Sequence, residues 1–162
     1  VNGANTAQTS IIGADGYMIT STGALHPTAP LYLGDREHFR VHARAAKDEL
    51  FISKPVIGRV SHKWSVQLSR RLTDATGHFA GVAVASLDAI SLARDFESLN
   101  RGGDGGSALV GDDGVVRAGS GAYAGQIGSP FAAKQPTSDE PGETRGFITA
   151  ERRTAVRRTC RR

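Results

Sequence analysis

The chain has 162 residues and a mass of 17.0 kDa, with 39% hydrophobic residues, 22% charged residues and 20 glycines. That balance suits a soluble globular domain and excludes a wholly disordered or membrane-embedded chain. Its longest apolar run, Gly81-Val82-Ala83-Val84-Ala85, falls far short of the roughly 20 residues that span a bilayer. The single cysteine, Cys160, excludes an internal disulfide framework and a cysteine-based zinc knuckle. No N-terminal stretch combines the basic, apolar and small-residue regions of a secretory signal, and the composition reads as a domain cut from a longer protein. The net charge of +4 belongs to one end. Residues 151–162 hold six arginines against Glu151, so the other 150 residues carry 14 basic and 15 acidic groups. These arginines form a terminal run without interleaved aromatics, after a stretch rich in Pro, Ser, Asp and Glu. They read as a solvated end and not as a nucleic-acid-binding face.

In chain order, residues 10–20 (Ser-Ile-Ile-Gly-Ala-Asp-Gly-Tyr-Met-Ile-Thr) form a predicted hairpin. Asp15-Gly16 between apolar runs predicts a type I′ turn with positive φ at both central residues. Gly34-Asp35-Arg36-Glu37 opens a predicted helix that carries Phe39, Val41 and His42, with Asp35 as its N-cap. Leu50–Ile52 and Pro55–Gly58 read as extended segments. Trp64 to Arg70 alternates strictly, with Trp64, Val66 and Leu68 on one face and Ser65, Gln67 and Ser69 on the other. The turn Asp74-Ala75-Thr76-Gly77-His78 leads into Phe79–Leu87, apolar almost throughout, as a central strand covered on both faces is. A second helix is predicted from Ser86 or Asp88 to about Leu99, with Ile90, Leu92, Phe96 and Leu99 on one side, ended by the glycines of 102–106.

Residues 108–118 (Ala-Leu-Val-Gly-Asp-Asp-Gly-Val-Val-Arg-Ala) then repeat the first hairpin, 98 residues further on, and suggest a tandem of related modules. The order β-β-α-β-β-β-α followed by β-β predicts an antiparallel α+β sheet and not a doubly wound one.

Enzymatic motifs are absent from the sequence. There is no Gly-x-x-x-x-Gly-Lys-Ser/Thr, no His-Glu-x-x-His and no Gly-x-Ser-x-Gly elbow. The glycines of 102–106 follow a helix and precede a strand, the wrong context for a phosphate loop. His38 and His42, four apart on one helix with Asp35 near, have a spacing that a metal can bridge, but histidines so placed are far more often packing residues. The reading is a non-enzymatic chain without cofactor or metal.

Four runs carry a resemblance: Gly34-Asp-Arg-Glu-His-Phe-Arg40, Phe51-Ile-Ser-Lys-Pro-Val-Ile-Gly58, Lys63-Trp-Ser-Val-Gln-Leu-Ser-Arg-Arg71 and Gly77-His-Phe-Ala-Gly-Val-Ala-Val-Ala-Ser-Leu-Asp88. In this order they resemble the double Cache sensor domain, also called the PDC or PAS-like periplasmic domain, of bacterial diguanylate cyclases and sensor histidine kinases. The resemblance covers about residues 8–118. It implies a PAS-like antiparallel sheet with flanking helices and an extracytoplasmic position in an inner-membrane protein. It also implies small-molecule binding in a membrane-distal module and a homodimer that passes the signal to a cytoplasmic output domain.

On this resemblance residues 1–100 are the distal module, 101–141 part of the proximal one, and 142–162 a disordered Arg-rich tail. The long helix that precedes the first strand in the family has no counterpart here. Residues 129–141 offer room for the proximal helix, but 142–162 do not resemble the closing strands.

The resemblance also implies a ligand site. In amino-acid-sensing relatives an arginine followed two and three positions later by aromatics grips the ligand carboxylate, and Arg36, His38 and Phe39 occupy those positions. A guanidinium suits the task because its planar donors match both carboxylate oxygens. The alternative for Arg36 is a pairing with Asp35, Glu37 or a loop carbonyl. Where those relatives have a tyrosine after the middle-strand proline this chain has Val56, and where they have an aspartate for the ligand ammonium it has Ser86. An amino-acid ligand is therefore disfavoured against a small carboxylate or another polar metabolite. Gln67 and Ser69 join the site if their face of the strand is the pocket face, and Trp64 and Arg70 if the other is. Asp88 reads as a helix cap. The competing reading is a constitutive dimerisation or structural module without a ligand.

Overall fold

A computed structural model of the chain describes residues 8–22, 29–59, 61–97, 106–132 and 148–149. The chain divides into two compact units, Val1–Asp88 and Ala89–Arg162.

In the first unit the strands are β1 (Gln8–Gly13), β2 (Met18–Ser21), β3 (Phe51–Ile52), β4 (Val56–Ile57), β5 (Trp64–Thr73) and β6 (Phe79–Asp88), with helix α1 (Glu37–Arg44) between β2 and β3. They form one six-stranded sheet in the order β2-β1-β6-β5-β3, with β4 also paired to β5. All pairings are antiparallel, as the sequence predicts. The apolar run β6 lies at the centre, with Ser86 facing Gln8 of β1 on one side and Gln67 of β5 on the other.

One side of the sheet carries α1. The core there is built from Ile12, Met18, Leu33, Phe39, Val82 and Val84, with Leu31 and Phe79 packed against it. The Phe39 and Phe79 rings meet edge to face at 5.6 Å, the arrangement that aromatic quadrupoles favour. Each such side chain withdrawn from water contributes roughly 1.5–3 kcal/mol, so α1 is held by its buried face. Two close approaches make glycine necessary. Gly81 has φ +141°, and a Cβ on it would stand 2.1 Å from the Ile12 carbonyl oxygen. At Gly16, φ +84°, a Cβ would stand 2.8 Å from the Cα of Gly34; there the loop before α1 lies against the first hairpin.

The hairpin turns differ from the predicted type I′. Gly16, Gly77 and Gly114 have positive φ, but neither Asp15 nor Asp113 does. In each turn the glycine N–H donates to the carbonyl three residues back: Gly16 to Gly13 at 2.9 Å, Gly77 to Asp74 at 3.0 Å and Gly114 to Gly111 at 2.9 Å. These are type I turns closed by a left-handed glycine, the three-residue hairpin with a G1 bulge. The aspartates serve by their side chains, Asp15 Oδ1 accepting from Tyr17 N and Asp113 Oδ1 from Val115 N, both at 3.1 Å.

Helix α1 also begins differently from expectation. Its N-cap is Arg36, with no side-chain cap, because the Asp35 carboxylate is drawn away to Arg59.

The second unit holds helix α2 (Ala89–Glu97), strands β7 (Gly106–Val110), β8 (Val116–Gly121) and β9 (Ile148–Thr149), and a single 3-10 turn over Ala124–Gln126. β7 pairs antiparallel with β8 and parallel with β9. The predicted second hairpin is thus present, and α2 starts after Asp88, which with Ser86 belongs to β6. Among its described side chains Ala89 and Ala93 are the buried ones and Leu92 is half-buried, whereas Ile90, predicted on the apolar side, is 51% exposed. Arg117 in β8 is buried, paired with Asp113 at 3.1 Å.

Residues 129–132 are not helical, since Pro130 bridges to Val115. The rest of the predicted helix over 133–141, Leu99, the side chain of Phe96 and the arginine-rich tail apart from β9 lie outside the described residues. No described helix is long and apolar enough to cross a membrane.

Candidate functional site

Alternation along β5 and β6 sets two faces, and the covered polar face is the informative one. Ser65, Gln67 and Ser69 are 4%, 4% and 1% exposed, while Trp64 on the other face is 42% exposed. Val66 on the Trp64 face is buried too, at 3%, but buried polar side chains beside an exposed tryptophan depart from the usual pattern, and the buried groups must satisfy one another.

They do so in a chain of hydrogen bonds. The Ser86 hydroxyl donates to Gln67 Oε1. Gln67 Nε2 donates to Ser65 Oγ at 2.8 Å, and Ser65 Oγ to the Val56 carbonyl at 3.4 Å. The Gln67 backbone N–H donates to Ser53 Oγ at 3.0 Å. On the neighbouring strand Gln8 Nε2 donates to Ser21 Oγ at 2.7 Å.

Above this wall lies a cavity of about 50 Å³, room for a few water-sized groups at roughly 10–15 Å³ each. Its floor is Gln8, Ser10, Ser65, Gln67, Val84 and Ser86 from the sheet, with Met18 from β2. The loop before α1 and the first turn of that helix supply Leu33, Arg36 and His38. The segment from β4 to β5 supplies Val56, Ile57, Gly58, Arg59 and Ser61.

Two guanidinium groups tie these last two walls together. Arg59 pairs in bidentate fashion with Asp35, Nη1 to Oδ1 at 2.7 Å and Nη2 to Oδ2 at 2.6 Å, and Nη1 also donates to the Tyr32 carbonyl at 2.6 Å. The Arg59 hydrogen bonds hold the Asp35 carboxyl below its usual range, and Asp35 in turn raises Arg59. Arg36 Nη2 donates to the Ile57 carbonyl at 3.2 Å.

The third basic side chain in the cavity is uncharged at neutral pH. Burial, reinforced by the adjacent Arg36 and His42 charges against a smaller opposing effect of Asp35, pushes His38 down to about 4. Among the described residues no carboxylate lines the cavity. Asp88, on the same sheet face one pair beyond Ser86, sits 3.9 Å from Lys63 Nζ instead.

The structure therefore brings together Arg36, His38, Gln67 and Ser86 of the residues singled out from sequence. It places the others elsewhere. Phe39 is in the core against Phe79. Ser69 shares the covered face, but its hydroxyl bonds His42 Nε2 at 2.9 Å beneath α1. Trp64 borders a shallow outer groove with Arg36, Pro55 and His62. Arg70 is on the opposite face, paired with Asp48 at 3.0 Å. The two helix histidines diverge, and among the described residues no three His, Cys, Asp or Glu side chains converge to hold a metal.

Sequence reasoning passed over Gln8, Ser10, Ser65, Arg59 and Ser61. Ser65 was within reach, since it shares the period-2 face of Gln67; nothing local marks Arg59, 24 residues from its partner Asp35.

No protein-family model and no curated protein sequence matches the chain. Solved structures do. The extracellular domain of a protein assigned as a histidine kinase, rpHK1S-Z16, superposes with a TM-score of 0.68 at 24% identity, over 90% of this chain and 61% of that one. The ligand-binding domain of the Pseudomonas fluorescens chemoreceptor CtaA, in complex with L-valine, gives 0.58 at 17% identity over 76% and 54%. The ligand-binding domain of Mlp24, with asparagine, gives 0.55 at 20% identity over 86% and 56%. The chain thus spans less than two thirds of the length of each of these domains. With its antiparallel sheet, α1 on one face and the cavity between them, the chain has the PAS-like fold of the Cache/PDC sensor domains.

Proposed function

We propose that this chain is the ligand-sensing part of a bacterial transmembrane receptor, a histidine kinase or diguanylate cyclase. In that reading it lies outside the inner membrane, pairs with a second copy and binds a small carboxylate or other polar metabolite. Residues 1–100 act as the membrane-distal, ligand-binding module and 101–141 as part of the proximal one, and the chain itself catalyses no reaction. The observation that carries the reading is Arg36, a guanidinium lining a small cavity and donating there to a neutral carbonyl. A ligand carboxylate is a stronger acceptor than that carbonyl, and its two oxygens match the fork. His38, Gln67 and Ser86 complete the contacts, and Phe39 supports Arg36 and His38 from below. Ser69 positions α1 through His42, while Trp64 and Arg70 serve the outer groove and the opposite face. The fold shared with domains that bind valine and asparagine supports the size of the ligand.

Signalling follows by population shift. A ligand that bonds both the helix wall and the sheet wall favours the closed arrangement by its differential affinity.

The test is thermal denaturation of the 162-residue chain with acetate, propionate, L-lactate and succinate. Binding to the folded state alone raises the melting temperature, by roughly 2.7 kcal/mol of stability at a hundredfold excess over Kd. The rise should vanish in Arg36→Ala. A cooperatively melting chain that responds to no carboxylate would point instead to a constitutive dimerisation module.

A further inference from the structure

We infer that the cavity selects a short hydroxy-carboxylate, an anion that carries a neutral hydroxyl in place of an ammonium group. The inference rests on the ligand-sensing reading above and deepens it.

It follows from the charges and hydrogen-bonding groups around the cavity. The cations are Arg36 and Arg59; of the two acids that flank Arg36, Glu37 is exposed and is not among the described lining residues, and Asp35 is engaged by both oxygens with Arg59. Arg36 therefore faces the cavity as a cation without a carboxylate among its lining residues. At the sheet wall every polar side chain is neutral: Gln8, Ser10, Ser65, Gln67 and Ser86.

An ammonium group placed there would lose its water and find only neutral acceptors, with Arg36 repelling it across a narrow space. A hydroxyl meets none of these costs. It both donates and accepts, as do the Ser86–Gln67–Ser65 groups it would join, and that chain already fixes their orientation. The roughly 50 Å³ of space confines the ligand to a short chain.

The test is isothermal titration of the 162-residue chain with three near-isosteric carboxylates: L-lactate, propionate and L-alanine. They differ only in bearing a hydroxyl, a hydrogen or an ammonium group at one carbon. L-lactate should bind tightest, propionate at least tenfold more weakly, and L-alanine no better than propionate. Ser86→Ala should narrow the lactate-to-propionate ratio to below threefold. The ranking on the unaltered chain is decisive even if that variant misfolds. Equal binding of lactate and propionate, or preferred binding of alanine, overturns the inference and leaves the sensor reading standing. Binding of none of the three overturns the inference; the sensor reading then falls only if acetate and succinate also fail.

Discussion

His38 should make the domain lose stability on mild acidification. The side chain is 7% exposed and its folded-state pKa is about 4 against 6.5 for an unhindered imidazole. Below pH 6.5 the unfolded chain takes up a proton that the folded chain refuses. Stability is therefore full above about pH 6.5, falls as the pH drops towards 4, and levels off below. At roughly 1.4 kcal/mol for each unit of difference the ceiling is about 3 kcal/mol. At pH 5.5 the linkage relation gives a loss of about 1.4 kcal/mol, nearly none of which is present at pH 7.5. For a domain of this size that is roughly 5–10 °C in melting temperature.

The experiment is urea or thermal denaturation at pH 7.5, 6.5 and 5.5 for the wild-type chain and His38→Gln. His42, also lowered by burial, contributes a slope of the same sign to both proteins, so the difference between the two isolates His38. Asp35 and Asp74, whose carboxyls are held low by Arg59 and by Thr76 respectively, act only at more acid pH. Parallel pH profiles for wild type and variant would refute the reasoning, because they would mean that His38 is as easily protonated in the folded chain as in the unfolded one.

Further perturbations separate scaffold from site. Gly81→Ala puts a Cβ 2.1 Å from the Ile12 carbonyl oxygen, whereas Gly77→Ala, also at positive φ, meets open space. The first should cost more than about 2 kcal/mol in a denaturant titration and the second about 1 kcal/mol; equal costs would mean that the β1–β6 approach is not tight. Arg59→Ala removes an ion pair that is 35% and 50% exposed, so the stability loss should stay below about 1 kcal/mol. Stopped-flow displacement should nonetheless show faster release of L-lactate, because of the two ties between the helix wall and the β4–β5 segment only the Arg36–Ile57 bond is left. An unchanged release rate would show that the pair does not restrain the cavity. Arg36→Ala should abolish the carboxylate-induced rise in melting temperature without lowering the unliganded value by more than about 1 kcal/mol equivalent, since Arg36 gives up an exposed bond to a carbonyl.

Local structure was legible in the residues themselves. Asp-Gly and Thr-Gly between apolar runs mark the three hairpins, period-2 alternation marks β5, and the apolar run of β6 marks the central strand. These signals are local because a turn needs its glycine and a strand its alternation wherever they occur. Even so, the turn type was decided by loop length. Closing three residues instead of two leaves only the glycine, and not the aspartate before it, in the left-handed region.

Tertiary structure alone decided the site. Alternation divides β5 into a Trp64 face and a Gln67 face but does not say which one α1 covers. The helix lies on the polar face, where His42 meets Ser69. Asp35 reads from the sequence as a helix cap or a partner of Arg36; its bond to Arg59, 24 residues away, exists only in the folded chain. Nor could Phe39 be separated from Arg36 and His38 until the sheet showed that its ring belongs with Phe79. A residue's type and spacing say what it is able to bond; only the packing of distant segments says which partner it meets.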